Sequence, residues 1–241
     1  MRILITGYGK MGRMVEELAA KEQIEIAGII DSEKDWLKLD IRNENGCNEV
    51  TAIDFSTPSS VLDNIEQAWK RNIPIVVGTT GWYDRMDEIK KECLQRGKTL
   101  FWASNFSIGV FLFDKVNACL ASMMKDFKQY NPSITEIHHI HKLDAPSGTA
   151  ISLARTLIEN CPRKKQWKKG QNNQSEILDI NSIREGEVCG THIINYSSPV
   201  DEIEIKHCAK NRQGFALGAL TAARWIENKK GFFTMSDMIQ I

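Results

Sequence analysis

Among its 241 residues the chain has no C-x-x-C pair, no excess of either charge and only five histidines. The six cysteines, Cys47, Cys93, Cys119, Cys161, Cys189 and Cys208, lie far apart. That spacing excludes a zinc knuckle or a paired redox motif, and the cysteines read as free thiols in a reducing compartment. Lysine plus arginine number 31, as do aspartate plus glutamate, so no global positive field recruits nucleic acid, although a local basic pocket is compatible with the balance. No segment approaches the roughly 18 uninterrupted apolar residues of a membrane span. The opening MRILITGYGKMG breaks into glycines before a leader's apolar core forms. The expectation is a cytoplasmic chain that binds neither membrane nor nucleic acid. What is present is ordinary for a folded protein: 42% apolar and 26% charged residues, enough to bury a core.

Residues 2–6 form a short apolar run that stops at Gly7, and Met14, Val15, Leu18 and Ala19 then recur at helical spacing. Strand, glycine turn and helix are predicted there. Further strands are expected in IEIAGII, VTAIDF, IPIVV and KTLFWA, with helices starting near Pro58 or Ser59 and running over 84–96. Strands alternating with helices imply a parallel sheet covered on both faces. After Asn105 the rhythm changes. Helices are predicted over 110–127 and 149–159, and polar and branched residues alternate in EILDINSI, GTHIINY and EIEIKHC. The basic stretch 163–174 reads as a solvated connection or an exposed basic lobe. Helices over 214–227 and 234–240 close the chain, the last with Thr234 and Asp237 as a capping box. The expected fold is α/β: a Rossmann-type parallel-sheet domain (1–109), an inserted α+β domain with a mixed or antiparallel sheet (110–212), and a segment returning to the first domain (213–241).

GYGKMG supplies Gly7, Gly9 and Gly12 as G-x-G-x-x-G between a strand and an amphipathic helix. The first glycine permits a sharp turn, the second lets backbone approach a pyrophosphate, and the third lets helix and sheet pack closely. Unpaired N–H groups at the helix start attract an anion. Asp31 ends the second strand, where a carboxylate can accept from ribose hydroxyls and repel an added 2′-phosphate. NADH is therefore expected to be preferred or used alongside NADPH, with Lys34 near enough to compensate the charge. Gly78, Thr79 and Thr80 in GTTGW end the fourth strand and either face a nicotinamide or substrate or form a plain turn. ASNFS, with Ser104 and Phe106, stands in the same place after the fifth strand.

HHIHKLDAPSGTA, beginning at His138, concentrates three of the five histidines. A metal site, a structural face and an acid-bearing substrate site all remain readings of it. For metal, adjacent His138 and His139 would diverge on a strand, no cysteine completes a set, and H-E-x-x-H is absent, so no metal is expected. For substrate, lysine and histidine together hold carboxylates and deliver a proton, while Ser147 or Thr149 caps a helix whose free N–H groups, opened by Gly148, take an anion. The target would be a small acidic molecule. On an extended strand His138 and Lys142 share a face about 13 Å apart, so a bulge or turn must bring them to one ligand.

The chain closely resembles bacterial 4-hydroxy-tetrahydrodipicolinate (dihydrodipicolinate) reductases. GYGKMGR, IDFSTP, VVGTTG, ASNFSIGV, EIHHIHKLDAPSGTA, IREGEVCGTH and KNRQGFALGAL carry the resemblance over essentially its whole length. It implies nicotinamide-dependent reduction of a cyclic imine with loss of water, in lysine and diaminopimelate synthesis, by a homotetramer assembled through the second domain's sheet. His138 is then the general acid and Lys142 its support; His139, Lys142, Ser147, Gly148, Thr149 and Arg212 bind the dicarboxylate. Gly7, Gly9, Lys10, Met11, Gly12, Asp31, Phe55, Gly78, Thr80, Ser104 and Phe106 would hold the cofactor. Two departures stand out. The glycine loop is one residue shorter than the G-x-x-G-x-x-G of many members, and Ser32 follows Asp31 where well-known members carry a basic residue.

Overall fold

A computed structural model describes residues 1–40, 50–172 and 174–240; Cys47 lies outside these, and the other five cysteines are free thiols. The chain divides into two compact units, Met1–Ser107 with Gln213–Ile241, and Ile108–Arg212.

The first unit begins with β1 (Arg2–Thr6), α1 (Lys10–Lys21), β2 (Glu25–Ile30) and α2 (Glu33–Lys38). It continues through β3 (Val50–Asp54), α3 (Val61–Lys70), β4 (Ile75–Val77), α4 (Met86–Gln95) and β5 (Thr99–Trp102). Helix α1 forms because Gly12, Val15, Leu18 and Ala19 make one buried stripe. Helix α3 starts later than Pro58 or Ser59, because Thr57 O accepts the N–H groups of Ser60 and Val61 in a preceding turn. Helix α2 was not anticipated; it is one short run with Trp36 buried and Ser32 and Asp35 in a capping box.

The second unit comprises α5 (Ile108–Met124), β6 (Asn131–His138), α6 (Gly148–Asn160), β7 (Gln166–Lys169), β8 (Ile177–Arg184), β9 (Thr191–Ser197) and β10 (Glu202–Cys208). Its sheet, ordered β10-β9-β6-β8-β7, is mixed: β6, β7 and β8 run parallel, while β9 is antiparallel to both β6 and β10. Strand β6 alternates strictly, burying Pro132, Ile134, Glu136 and His138. Ile134 joins Phe113 and Met124 of α5 and Leu153 and Leu157 of α6 in one core. In the basic stretch 163–174 Lys165, Lys168 and Lys169 are exposed as expected, but it is not a plain connection. Residues 166–169 are a sheet strand, and Lys164 is buried, donating to Asn131 Oδ1 (2.8 Å) and Ile177 O (2.7 Å). A charged side chain whose ammonium meets buried oxygens can be interior, and composition alone does not reveal that.

The chain then returns to the first unit as α7 (Gln213–Trp225), β11 (Gly231–Phe233) and α8 (Met235–Met238). All pairings in this six-stranded sheet, ordered β11-β5-β4-β3-β1-β2, are parallel. Helix α8 is shorter than the 234–240 expected, but its capping box is present: Thr234 N and Oγ1 donate to Asp237 Oδ2 at 2.7 and 2.8 Å. The fold class is α/β, a Rossmann-type parallel sheet with an inserted α+β unit.

Candidate active site

In the first unit, a cleft of about 1020 Å³ opens at the carboxyl ends of β1, β2 and β3. Gly7, Gly9, Asp31 and Phe55 line it, together with Ser32 and Lys34. Gly7 has φ +85°, and a Cβ there would come within 2.5 Å of the Phe55 carbonyl. A Cβ on Gly12 would collide with the Gly7 carbonyl, so this glycine sets how closely α1 approaches the loop. Gly9 sits at the N-cap of α1 and has no side chain to cap it, so the first N–H groups, on Lys10, Met11 and Gly12, lack intrahelical acceptors. An anionic pyrophosphate suits that arrangement. Asp31 Oδ1 accepts the Tyr8 N–H at 2.8 Å, tying the acidic position to the glycine loop. Asp35 in turn accepts the N–H groups of Asp31 and Ser32 and the Ser32 hydroxyl, and these donors, the Asp31 N–H foremost, hold its carboxyl below its usual value. The cradle therefore fits a dinucleotide.

Other expected positions are distributed differently. Gly78 lies against the Phe55 ring, which leaves no room for a Cβ, and Phe106 is buried edge-on to Phe55 at 6.1 Å. Thr80 and Ser104 are exposed and do not line the cleft. It is Thr79 that turns inward, donating to Asp54 Oδ1 at 2.5 Å. The fully buried Asp54 also accepts from Thr6 Oγ1 (2.6 Å), Ser56 Oγ (2.9 Å) and Asn64 Nδ2 (2.8 Å), joining β1, β3, α3 and the loop after β4. This hub is not among the expected site residues. Its signal was a lone aspartate at the end of an apolar strand.

In the second unit the strand carrying His138 ends at that residue, and the required turn follows: Lys142 N donates to His139 O at 3.1 Å. Beyond the cis Ala145–Pro146 bond, Ser147 caps α6 by accepting the Ala150 N–H at 3.2 Å. A Cβ built on Gly148 meets nothing within 4 Å, so the first turn of α6 is open to a carboxylate. Lys142 is paired with Asp144 at 2.7 Å. Burial would raise the Asp144 carboxyl, but that lysine holds it below its ordinary value. His139 Nε2 lies 3.1 Å from Arg212 Nη2; burial, then the Arg212 charge, lowers its imidazolium pKa.

Three groups that the sequence reading did not assemble complete the site. Register places His192 opposite Glu136, and Arg184 opposite His138. Glu136 is fully buried, with Oε2 3.1 Å from His138 Nδ1. Burial alone would raise its carboxyl, but the close His138 imidazole, the hydrogen bonds from Ser147 N–H and Arg184 Nη2, and the nearby Ser182 together hold it well below the carboxylate range. Arg184 donates to Glu136 Oε1 (3.1 Å), Lys142 O (3.2 Å) and Asp144 O (2.5 Å), stapling the loop to the sheet. The His192 ring packs edge-on to His138 at 5.2 Å, with Nε2 3.4 Å from Ser147 Oγ. Glu136, His138 and His192 offer ligand atoms within 4.8 Å of one another, a donor set that the pairing of His138 with His139 had not suggested. Arg184 on the same carboxylate opposes a cation there. The arrangement can hold anions and move a proton.

Known proteins share this organisation. Residues 1–106 match the family described as "Dihydrodipicolinate reductase, N-terminus", and residues 109–239 match its C-terminus counterpart. A 4-hydroxy-tetrahydrodipicolinate reductase of Christiangramia forsetii is 42% identical over 99% of this chain and 98% of its own. One from Archaeoglobus fulgidus is 31% identical over 100% of both chains. The solved structure of a dipicolinate-bound dihydrodipicolinate reductase from Paenisporosarcina sp. TG-14 is similar with a TM-score of 0.76 at 25% identity, over 99% of each chain. With a glycine cradle on one unit, the His138, Lys142 and Ser147 cluster on the other, and matches spanning both, the chain belongs to the dihydrodipicolinate reductase family.

Proposed function

We propose that the chain reduces 4-hydroxy-tetrahydrodipicolinate to tetrahydrodipicolinate with a nicotinamide cofactor, releasing water, as a step in lysine and diaminopimelate synthesis in the cytoplasm. The observation that carries this reading is the convergence of His138, Lys142 and the capped start of α6 on one end of the second sheet.

The cofactor, when bound, supplies a hydride. Gly7, Gly9, Lys10, Met11 and Gly12 hold its pyrophosphate through backbone donors, Asp31 its ribose, and Phe55, Gly78 and Phe106 shape the neighbouring wall. Thr80 and Ser104 stay secondary in this reading. One substrate carboxylate takes the N–H groups of Gly148 and Thr149, with Ser147 fixing the helix start; Lys142 and Arg212 supply positive charge to the other, and the His139 imidazole hydrogen-bonds beside them. Holding both carboxylates turns an encounter into a positioned reaction. As the conjugated ring gains electrons, the ring proton of His138 passes to the neighbouring carbon, and the Lys142 ammonium stabilises the developing charge. Each turnover consumes one reduced nicotinamide and one proton and yields one water.

NADH serves at least as well as NADPH in this reading, because Asp31 stands at the ribose position and Ser32, not a cation, follows it. The protein works as a homotetramer, its second sheet supplying the interface. The deciding experiment is oxidation of NADH with freshly generated hydroxy-tetrahydrodipicolinate. Turnover with the cyclic substrate and none comparable with simple 2-oxo acids is expected; no turnover in folded, cofactor-binding protein refutes the proposal.

A further inference from the structure

A fully buried carboxylate is costly unless its charge is met, and nothing in the acid and clamp roles requires one at Glu136. Its neighbours show what it organises. Oε1 accepts the Ser147 N–H and Arg184 Nη2, both at 3.1 Å, and Oε2 lies 3.1 Å from His138 Nδ1. The opposite edge of the His138 ring meets Gly190, where a Cβ would stand 3.1 Å from Nε2 on a backbone with φ +155°. One nitrogen is thus turned toward an anion and the other toward a residue with no side chain.

We propose that Glu136 is a positioning residue: it keeps the neutral His138 ring as the Nδ1–H tautomer, reserves Nε2 as the atom that delivers the proton, and fixes Ser147 at the start of the carboxylate clamp. After transfer the ring is left neutral with its remaining proton on Nδ1, shared toward Glu136, and solvent restores the proton on Nε2. Coupling both tasks to one carboxylate sets the distance between the proton donor and the bound carboxylate. Arg184 is its counter-charge. The other charged or titratable groups around the pair are His139 beside it, His192 on β9, His207 beyond that on β10, and Lys142 and Asp144 in the loop. This inference rests on the reductase reading.

The test is Glu136→Gln, which keeps shape and removes charge. Turnover should fall at least about tenfold, toward the 10²–10⁴ contributed by a proton donor. Affinity for pyridine-2,6-dicarboxylate should change much less, and the alkaline limb of the kcat profile should move to lower pH because the imidazolium has lost its anion. Nitrogen-15 NMR of the histidine rings reads the tautomer without turnover: Nδ1–H at His138 in the wild type, a mixture in E136Q. A chain inactive on the cyclic imine that still shows this tautomer change would refute the function while supporting the positioning role. Should E136Q not fold, Glu136→Asp keeps the charge one methylene back, and reduced kcat with an unmoved pH limb is expected. An Nε2–H tautomer in the wild type, unchanged kcat and pH profile in E136Q, unchanged kcat in E136D, or stoichiometric metal lost with the E136Q substitution would each overturn the proposal.

Discussion

Burial pushes the imidazolium of His192 down to about 4, with repulsion from His138 adding to the effect, so at neutral pH this ring packs uncharged against His138. An unfolded histidine titrates near 6.5. Between those values the unfolded chain binds the additional proton, so this contribution to stability is complete above about pH 6.5 and is lost as pH falls toward 4. Urea unfolding at pH 7 and pH 5 should show a loss of about 2 kcal/mol, flattened in His192→Gln. The depressed Glu136 carboxyl acts at lower pH, its stabilisation being lost as pH falls below the ordinary carboxylate value. For the proposed acid, His138→Gln should cost about 10²-fold in turnover with much of the substrate affinity kept, whereas Ser147→Ala should act mainly on KM. Intact turnover in His138→Gln, with loss in His139→Gln, would reassign the acid. At the ribose position, Asp31→Ala should reduce the NADH preference about tenfold, the effect of one charged hydrogen bond, in paired kcat/KM measurements.

Among elements, α1 and α7 depend most on what is missing from them. A Cβ on Gly12 collides with the Gly7 carbonyl, and one on Gly218 with the Phe106 carbonyl. Gly218→Ala should therefore destabilise the protein by about 1–3 kcal/mol, the usual cost of overpacking, and Gly12→Ala should in addition weaken NADH binding, read by fluorescence titration. The strand, glycine loop and α1 were legible in sequence because an apolar run, three glycines and a 3.6-residue stripe agree with one another. Strand β7 was not, because QWKK is four residues with charge on both faces, and β11 is the three-residue GFF. Locally clustered His138, Lys142 and Ser147 were readable as a candidate site. Arg184, 48 residues beyond Glu136, was not, because strand register brings it in and one chain's pattern does not encode register directly. Thr79 and Thr80 show the same limit at smaller range: adjacent threonines were equivalent in sequence, and only the turn decides which one faces Asp54.

For the whole molecule, the second sheet leaves Ile183 43% and Ile203 36% exposed, apolar side chains on strands that a partner sheet would cover. Sedimentation at micromolar concentration should give a mass four times that of the 27.3 kDa chain, and Ile203→Lys should shift it toward smaller species without loss of secondary structure. A monomer in both would remove the tetramer from the proposed function. The two units also differ in continuity: Ile108–Arg212 is one uninterrupted segment, while the first unit is assembled from Met1–Ser107 and Gln213–Ile241. On the ribosome this sets an order of events. The second unit has all its strands before α7 is translated, whereas β5 waits with an unpaired edge for β11, and α1 waits for α7 to cover it. The half of the protein made first is therefore the half completed last, and the interval in which its apolar edge needs protection is set by the time taken to synthesise the insertion between its parts.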